Sequence, residues 1–421
     1  MNTKYIHIGK STILWEKTSF SRAFKFLKNN SLSRAELSDD NGNVKNIHYG
    51  DILIKFSECL YADEGNNIPY IINDNIAYKL LKLSPLINGD IVFADAAEDN
   101  TVGKCIEIIT HNDTDLVAGL HTIPCRPTIK FAEGYLGYYL NSTAFHNQLL
   151  QYIQGTKISS ISKKSICQTI ISYPSEIINQ QKIASYFQSL DSLIQSTSKK
   201  LASLKRIKAA SLQSMFPQKG ETVPKVRFKG FEGKWKNLTL GEIGKWSKGR
   251  LLSKSDLTAD GKNPCIHYGE LFVNYSEVIN EVESYTNVDN GCYSEIGDIL
   301  FPDSDVTATG LARCSAIMQN GVILGGGINI LKVDKKFYSP YISYSINQEK
   351  GQIISRVIGT TVRHINSTAL SEVQIAVPSD IKEQQQIADY FTCLDKQITL
   401  QAQRLEKLKQ IKAACLDKMF V

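Results

Sequence analysis

An internal repeat limits the architecture of this chain more than any other feature of its sequence. The segment 180–216 returns as 384–420 without a gap, at an offset of 204 residues and with half of the positions identical. The same offset continues upstream, where Gly155-Thr156 returns as Gly359-Thr360. A repeat of this length predicts two copies of one structural unit, related by an internal pseudo-twofold axis.

Upstream of this block the similarity is looser but continues. The string GDIVFAD at 89–95 recurs as GDILFPD at 297–303, and IHYGDI at 47–52 recurs as IHYGEL at 266–271. The changing offset indicates insertions in surface loops. Short apolar runs bounded by Gly, Asp and Pro predict strands, and two aromatic-rich patterns at 134–154 and 338–354 predict helices. Each copy is therefore expected to contain an α+β domain.

The repeated block itself predicts a long helix in each copy. Its seam residues are spaced by alternating steps of four and three, the 3.5-residue period of a coiled coil. Pro174 and Pro378 precede the two helices, and Pro217 follows the first. The seam residues are Ile183, Phe187, Leu190, Ile194, Thr197, Leu201, Leu204, Lys208, Ser211 and Met215 in the first copy, and the residues 204 positions later in the second.

A lone apolar seam needs a partner, and the duplicate helix is the nearest one. About 38 residues at 1.5 Å each give a helix of ~57 Å. We expect the two helices to pack as an antiparallel coiled coil, because the polar seam residues Thr197 and Gln401 both fall near mid-helix; parallel packing remains an alternative. The predicted boundaries are a first domain at 1–175, a helix at 176–217, a linker at 218–236, a second domain at 237–379 and a helix at 380–421.

Composition and charge narrow the class of function. The 48 Lys and Arg residues exceed the 42 Asp and Glu residues, and eleven basic residues against two acidic ones lie between Lys199 and Lys236. Such a cluster suits contact with phosphates, although a solvated helix face is the alternative. The nine Cys form no CxxC pair, which argues against disulfides and zinc. With no apolar leader or spanning segment at its start, the chain is expected in the cytoplasm.

The common catalytic motifs are absent from the sequence. It has no Asp/Asn-Pro-Pro-aromatic loop of the kind that amino-methyltransferases use, and neither HExxH nor GxSxG occurs. The seven His residues are isolated from one another. We therefore predict a protein that is not an enzyme and that holds no metal or cofactor of its own.

Several of these strings together resemble the specificity subunit of Type I restriction-modification systems. The most specific are EIINQQKIASYFQSLDSLI, its copy DIKEQQQIADYFTCLDKQI, and the linker PKVRFKGFEGKWKNLTLGEI, which is similar to the start of that family's target recognition domains. The first domain begins with MNTKYIHIGKSTILW and lacks that start.

The resemblance implies a non-catalytic subunit of bacteria or archaea that recognises double-stranded DNA. Two target recognition domains would each read one half of a split, asymmetric site, and the paired helices would set the spacer. Two modification subunits, which bind S-adenosylmethionine, would dock on the helices, and a restriction subunit that uses ATP and Mg²⁺ would join them. A module normally fused to a nuclease-methyltransferase and a coiled-coil scaffold without a nucleic-acid role are the alternatives.

Two loops at equivalent positions are the strongest candidates for DNA contact, because they match in frame and differ in their polar side chains. A second basic group follows the LGEI string, which is predicted as a strand. A solvated turn and ordinary surface charge are the respective alternatives. The candidates are Lys157, Ser159, Ser160, Lys163 and Lys164 in the first loop, Thr361, Arg363, His364 and Asn366 in the second, and Lys245, Lys248, Arg250 and Lys254 in the basic group.

For the modification subunits, the candidates are residues near the start of each long helix that are identical in both copies. Duplicated exposed residues suit two copies of one partner, whereas helix capping or packing of the domain on its helix is the intramolecular alternative. The candidates are Gln180, Gln181, Tyr186, Gln384, Gln385 and Tyr390.

Overall fold

The computed structural model describes residues 4–8, 11–63, 67–112, 114–155 and 158–421, with backbone alone for 4–8 and 11–12. The chain divides into two compact units. Unit 1 contains residues 1–197 and 404–421, and unit 2 contains residues 198–403. Each unit therefore includes the first half of one long helix and the second half of the other.

Unit 1 is built on a five-stranded mixed sheet in which a single pair of strands is parallel. Its strands, in spatial order, are Phe24–Phe26, Thr122–Pro127, Ile91–Ala94, Cys105–Ile109 and Cys59–Tyr61. A four-stranded sheet contains Leu116–Ala118, Lys45–Ile47, Tyr70–Ile71 and Leu37–Ser38, and a three-stranded sheet contains Lys4–Ile8, Ser11–Ser19 and Ile170–Pro174. The strand predicted from GDIVFAD lies at the centre of the main sheet and is fully buried, as its continuous apolar pattern requires.

Unit 2 repeats this plan. Its five-stranded sheet has the same order and the same single parallel pair, with the strands Gly244–Lys248, Ile328–Val333, Asp298–Pro302, Ser315–Ile317 and Val278–Ile279. A four-stranded sheet contains Ser284–Thr286, Asn263–Ile266, Ile323–Leu324 and Cys292–Tyr293, and a two-stranded sheet contains Lys236–Thr239 and Gln374–Val377. The predicted α+β class is confirmed in both units.

Short helices cover the sheets. The patterns predicted at 134–154 and 338–354 are each split into two helices, namely Tyr135–Leu140 with Thr143–Leu150, and Ser339–Gln348 with Lys350–Ile354. The other short helices are Phe20–Ala23, Tyr49–Ile54, Asp74–Leu83 and Lys163–Cys167 in unit 1, and Leu240–Ile243, Glu270–Val273, Ala308–Leu311 and Ser367–Ser371 in unit 2.

The strand predicted for the LGEI string is wrong, because residues Leu240–Ile243 form one helical turn. Thr239 and Glu242 make a capping box around it, in which the Glu242 carboxylate accepts hydrogen bonds from the Thr239 N–H and hydroxyl, both at 2.8 Å. The Thr-x-x-Glu spacing that favours this turn is local and outweighs the apolar pattern.

The two long helices span Ile177–Met215 and Ile381–Lys418. All the described seam residues are buried or half-buried, so the predicted 3.5-residue period is confirmed. In unit 1 Tyr186 contacts Cys415 and Asp191 contacts Lys412, so a later position on the first helix faces an earlier position on the second. In unit 2 the contact of Ser211 with Tyr390 belongs to the same antiparallel pattern. The helix segments within each unit are thus antiparallel, as predicted.

The end of each long helix completes the core of the unit that it enters. In unit 1 the Phe420 ring stacks on Phe187 with centroids 5.7 Å apart. In unit 2 the Phe216 ring lies against Tyr341 and Phe391. These rings are among the largest apolar side chains that the units bury, so each unit depends on residues from both halves of the repeat.

The segment before the second domain packs onto the start of the second long helix. Arg227 donates from Nε to Glu383 Oε1 at 2.7 Å and from Nη2 to Glu383 Oε2 at 2.8 Å. Its Nη1 donates to the Gly233 carbonyl at 2.7 Å. The Trp235 ring is buried against Phe216. The predicted linker 218–236 is therefore held to unit 2 by specific contacts.

Candidate nucleic-acid interface

In unit 1 the described residues at the two ends of the predicted DNA-contacting loop pair with each other, and we call this segment the hairpin of unit 1. Gln154 and Ser160 exchange two backbone hydrogen bonds of 3.0 and 2.8 Å, and Ser159–Ser160 pairs with the short strand Ala96–Ala97. Gly155 has a φ of 110°, which a glycine adopts without strain. The Ser160 side chain is exposed at the hairpin. The candidate Lys157 lies outside the described residues.

Unit 2 has the same hairpin at the equivalent position. Ile358 and His364 exchange backbone hydrogen bonds of 3.0 and 2.8 Å, and Arg363–His364 pairs with Ser304–Asp305. Gly359 has a φ of 97°, and a Cβ there would collide with the Val362 carbonyl oxygen. In their described parts the two hairpins therefore share a glycine of positive φ and the same closing hydrogen bonds, while their exposed side chains differ.

Both hairpins are attached to the main chain of the aspartate that follows the central strand. The Ile161 N–H donates to the Asp95 carbonyl at 2.9 Å, and the Ile365 N–H donates to the Asp303 carbonyl at 3.0 Å. Both isoleucines are buried, which fixes the hairpin on its domain. The repeated strings GDIVFAD and GDILFPD mark this position in the sequence, although the main-chain carbonyl that accepts the hydrogen bond does not depend on the aspartate side chain.

The side chains of the two aspartates have different partners. Asp95 Oδ1 lies 3.1 Å from His121 Nδ1 in unit 1, and Asp303 Oδ2 lies 2.7 Å from Lys248 Nζ in unit 2. The ring of Tyr49 meets the ring of His121 at 5.2 Å, edge to face. Each hairpin is thus bordered by a cationic or titratable group, and the chemistry of that group is specific to its unit.

The repeated His-Tyr-Gly strings make the same local hydrogen bond in both units. His48 Nδ1 accepts a hydrogen bond from the Gly50 N–H at 3.2 Å, and His267 Nδ1 accepts one from Gly269 at the same distance. Burial lowers the pKa of both histidines, which favours the neutral ring that such acceptance requires. His48 is the N-cap of the helix Tyr49–Ile54, whereas His267 lies two residues before Gly269, the N-cap of the helix Glu270–Val273.

The remaining loop residues are exposed to different degrees. Lys163 and Lys164 are both exposed, and the Lys163 ammonium lies 5.6 Å from the centre of the Phe26 ring and 3.4 Å from the Leu27 carbonyl oxygen. Thr361, His364 and Asn366 are exposed. Asn366 caps the helix Ser367–Ser371 by accepting from the Ala369 N–H at 2.8 Å, which leaves its amide NH₂ free to donate.

The structure brings together part of the predicted basic group. Lys248 is joined to Asp303, and Arg250 lies in the next loop, where its N–H donates to the Leu324 carbonyl at 3.0 Å. Burial lowers the pKa of His267, and the nearby positive charge of Lys254 lowers it further. Lys245 lies three positions before Lys248 in one strand and therefore on the opposite face of the sheet. The prediction that all four form one cluster is wrong for Lys245.

A further residue on this surface was not predicted from the sequence. Leu251 has a φ of 57° and Leu252 a φ of 58°, a left-handed pair that non-glycine residues rarely adopt. The conformation is held by a 2.7 Å hydrogen bond from the Gly326 N–H to the Leu251 carbonyl. The Leu251 side chain is 63% exposed beside Arg250. No periodic pattern signals such a conformation.

The predicted contacts for a modification subunit fall into two groups. Gln181 and Gln385 are exposed, and Tyr186 is 41% exposed. Tyr390 is half-buried, and its hydroxyl lies 2.9 Å from Ser211 Oγ. These four residues remain available in whole or in part at the surface of the long helices.

The expected exposure of Gln180 and Gln384 is wrong, because both are 1% exposed. Gln180 accepts from the Ala132 N–H at 3.0 Å and donates to the Pro174 carbonyl at 2.8 Å. Gln384 likewise accepts a hydrogen bond from the Tyr338 N–H and donates one to the Pro378 carbonyl, both at 2.9 Å. Their identity in both copies reflects packing of each domain on its own helix, which was the intramolecular alternative.

The described ranges hold neither a cluster of metal ligands nor a membrane-spanning helix. Within those ranges no three His, Cys, Asp or Glu side chains are placed to hold a metal ion. No helix in the same part of the chain is long and apolar enough to cross a membrane. What the fold and this surface define is a duplicated recognition protein, with one polar hairpin surface in each unit.

Comparison with known proteins agrees with this class. The family model described as the Type I restriction modification DNA specificity domain matches residues 41–206 and 232–410. The chain therefore belongs to the Type I restriction-modification DNA specificity family and carries the domain of that family twice. This confirms the predicted family, and with it a DNA-specificity role rather than an enzymatic one.

Individual relatives are distant. A putative type I specificity subunit of Mycoplasma pneumoniae is 24% identical over 191 residues, which is 44% of this chain; the chain spans less than half (45%) of that relative. The crystal structure of a Type I restriction-modification S subunit from M. genitalium matches over 99% of this chain and 98% of that one, with a TM-score of 0.65 and 14% identity. An HsdS subunit from Thermoanaerobacter tengcongensis matches over 96% of both chains, with a TM-score of 0.44 and 16% identity. The M. genitalium structure supports the fold.

Proposed function

We propose that this chain is the DNA-recognition subunit of a Type I restriction-modification complex and that each unit reads one half of a split, asymmetric DNA site. One observation carries the proposal. The described parts of the two hairpins are closed by the same pair of main-chain hydrogen bonds and attached to the same main-chain carbonyl, but unit 1 exposes Ser160 where unit 2 exposes His364. One scaffold with two sets of polar side chains suits the recognition of two different base sequences.

Within unit 1, the proposed base-reading residues are Ser159, Ser160, Lys163 and Lys164, together with Lys157. Within unit 2 they are Thr361, Arg363, His364 and Asn366, and Lys248, Arg250 and Lys254 provide phosphate contacts beside them. Arginine is suited to bidentate recognition of guanine, and serine, histidine and asparagine offer hydrogen bonds to base edges. Lys245 is not part of this surface.

The long helices have two proposed roles. Their ~57 Å length, from 1.5 Å per residue, would set the spacer between the half-sites. Gln181, Tyr186, Gln385 and Tyr390 would contact two modification subunits, one at each end of the pseudo-twofold repeat. S-adenosylmethionine, ATP and Mg²⁺ would be bound by the modification and restriction subunits, and by no residue of this chain.

The test is to map methylated positions in DNA after producing the chain together with its modification subunit. We expect methylation at one split sequence with a fixed spacer, and none from either protein alone. Long-read sequencing of methylated bases gives both half-sites and the spacer in a single measurement. Methylation of a continuous, unsplit sequence by this complex would contradict the proposal.

A further inference from the structure

Unit 1 contains a largely buried lysine that contacts two carboxylates. Lys412 Nζ lies 2.5 Å from Glu58 Oε2 and 2.5 Å from Asp191 Oδ1. The Tyr138 hydroxyl donates to the second oxygen of Asp191 at 2.7 Å, and the lysine ammonium lies 5.6 Å from the centre of the Tyr138 ring. We call these four residues the lysine cluster of unit 1.

Unit 2 contains the same arrangement. Lys208 Nζ lies 3.0 Å from Glu277 Oε2 and 2.6 Å from Asp395 Oδ1. The Tyr344 hydroxyl donates to Asp395 Oδ2 at 2.7 Å, and the ammonium lies 5.7 Å from the centre of the Tyr344 ring. These four residues form the lysine cluster of unit 2, and every member matches a member of the first cluster.

Both lysines lie on the helix seam, where nearly all other positions are apolar or small. Burial acts to lower the pKa of Lys412, but the Glu58 and Asp191 carboxylates outweigh it and raise that pKa above its ordinary value. The pKa of Lys208 is raised in the same way by Glu277 and Asp395. Each lysine therefore remains charged and requires both of its carboxylates.

Each cluster joins four separate parts of its unit. In unit 1, Glu58 follows a short helix of the domain, Tyr138 belongs to another domain helix, Asp191 lies on the first long helix and Lys412 on the second. A rotation or slide of the domain along the helix pair would separate Glu58 from Lys412 and leave a buried charge without its partner. The cluster thus selects one orientation of the domain on the helix pair, as a buried polar residue selects the register of a coiled coil.

We propose that Lys208 and Lys412 are positioning residues for DNA recognition, each fixing the orientation of one recognition domain on the helix pair and so restricting the complex to one spacer length. The inference rests on the proposed function, because a spacer exists only if the two units read a split site. Neither lysine contacts DNA in this proposal; both act through the placement of the hairpin surfaces.

The test uses the full-length chain with its modification subunit and a set of duplexes that keep both half-sites but vary the spacer. The spacers run from three base pairs shorter than the native length to three longer. For Lys412→Met and for Lys208→Met we expect methylation at the native spacer to fall about tenfold and methylation at neighbouring spacers to rise, with both half-site sequences unchanged. Methionine keeps the apolar length of the side chain and removes the charge.

Matched controls separate positioning from general destabilisation. Lys407→Met and Lys205→Met remove exposed lysines from the same helices and should leave the spacer profile unchanged. Tyr138→Phe removes a single hydroxyl from the cluster and provides a milder variant, with a smaller broadening, if Lys412→Met does not fold. A narrow native profile in every cluster variant, or loss of methylation at all spacers without broadening, would overturn the proposal. If the wild-type complex methylates no split site, the proposed function itself fails.

Discussion

The contact between Arg227 and Glu383 allows a quantitative test of how the segment before the second domain is held. The Glu383 carboxylate is 1% exposed, and both of its oxygens accept from the same guanidinium. In Arg227→Met that carboxylate stays buried without its partner. Removal of one partner of a buried pair costs about 3–5 kcal/mol.

This loss translates into a measurable change in melting temperature. For a unit of roughly 200 residues, each kcal/mol lowers Tm by about 2–4 °C, so Arg227→Met should lower the Tm of unit 2 by about 6–20 °C. The double variant Arg227→Met with Glu383→Met should recover most of the loss, because a buried ion pair replaced by apolar residues of similar volume is often neutral. The exposed Lys229→Met is the control.

The assays are thermal denaturation, which gives Tm, and urea denaturation, which gives the free energy of unfolding, each followed by circular dichroism and by tryptophan fluorescence. Trp235 is buried next to Phe216 and reports directly on this part of unit 2. A cost below about 1 kcal/mol for Arg227→Met, which is the range of an exposed ion pair, would refute the reasoning. A double variant as unstable as the single one would refute it as well.

Four further predictions concern recognition and stability. Arg363→Ala should reduce discrimination at one half-site by about 1–3 kcal/mol and leave the other half-site unchanged, as methylation of paired substrates would measure. Gly359→Ala should abolish recognition of that same half-site, because its Cβ meets the Val362 carbonyl and its φ of 97° strains alanine; normal methylation there would disprove the role of the hairpin. Insertion of one heptad into both long helices should lengthen the spacer by about 10 Å, or about three base pairs, without changing either half-site. Burial raises the pKa of Glu107 to about 7. Because the folded-state pKa lies above the unfolded one, the contribution of Glu107 to stability is full below about pH 4 and is lost as pH rises through about 7. Glu107→Gln should flatten this pH dependence of stability, as denaturation curves measured across that pH range would show.

The long helices could be predicted from the sequence because their signal is periodic and extends over many turns. Every described seam position is buried or half-buried, including the polar ones. A secondary-structure signal carried by only a few residues is less decisive. The string at Leu240–Ile243 carries an apolar pattern that suits a strand, but the Thr239 and Glu242 capping box decides in favour of a helical turn.

The candidate site was predictable only in part, because burial depends on contacts between distant segments. Gln180 and Gln384 look like surface residues of a helix, yet each is covered by its own domain and bonded to that domain's backbone. Lys412 is a charged residue in a seam of mostly apolar residues. Its partner Glu58 lies 354 residues away, and only the tertiary fold brings them together.

The two hairpins have a consequence for how specificity can diversify. Their closure depends on a glycine, on main-chain hydrogen bonds and on a buried isoleucine. The Ser160 hydroxyl adds one long hydrogen bond of 3.4 Å to the Gln154 carbonyl, so the side chains at positions 160 and 364 contribute little to that closure. Under the proposed function, exchange of a few codons at these two positions would change the bases that a unit reads while the fold of its hairpin stays the same.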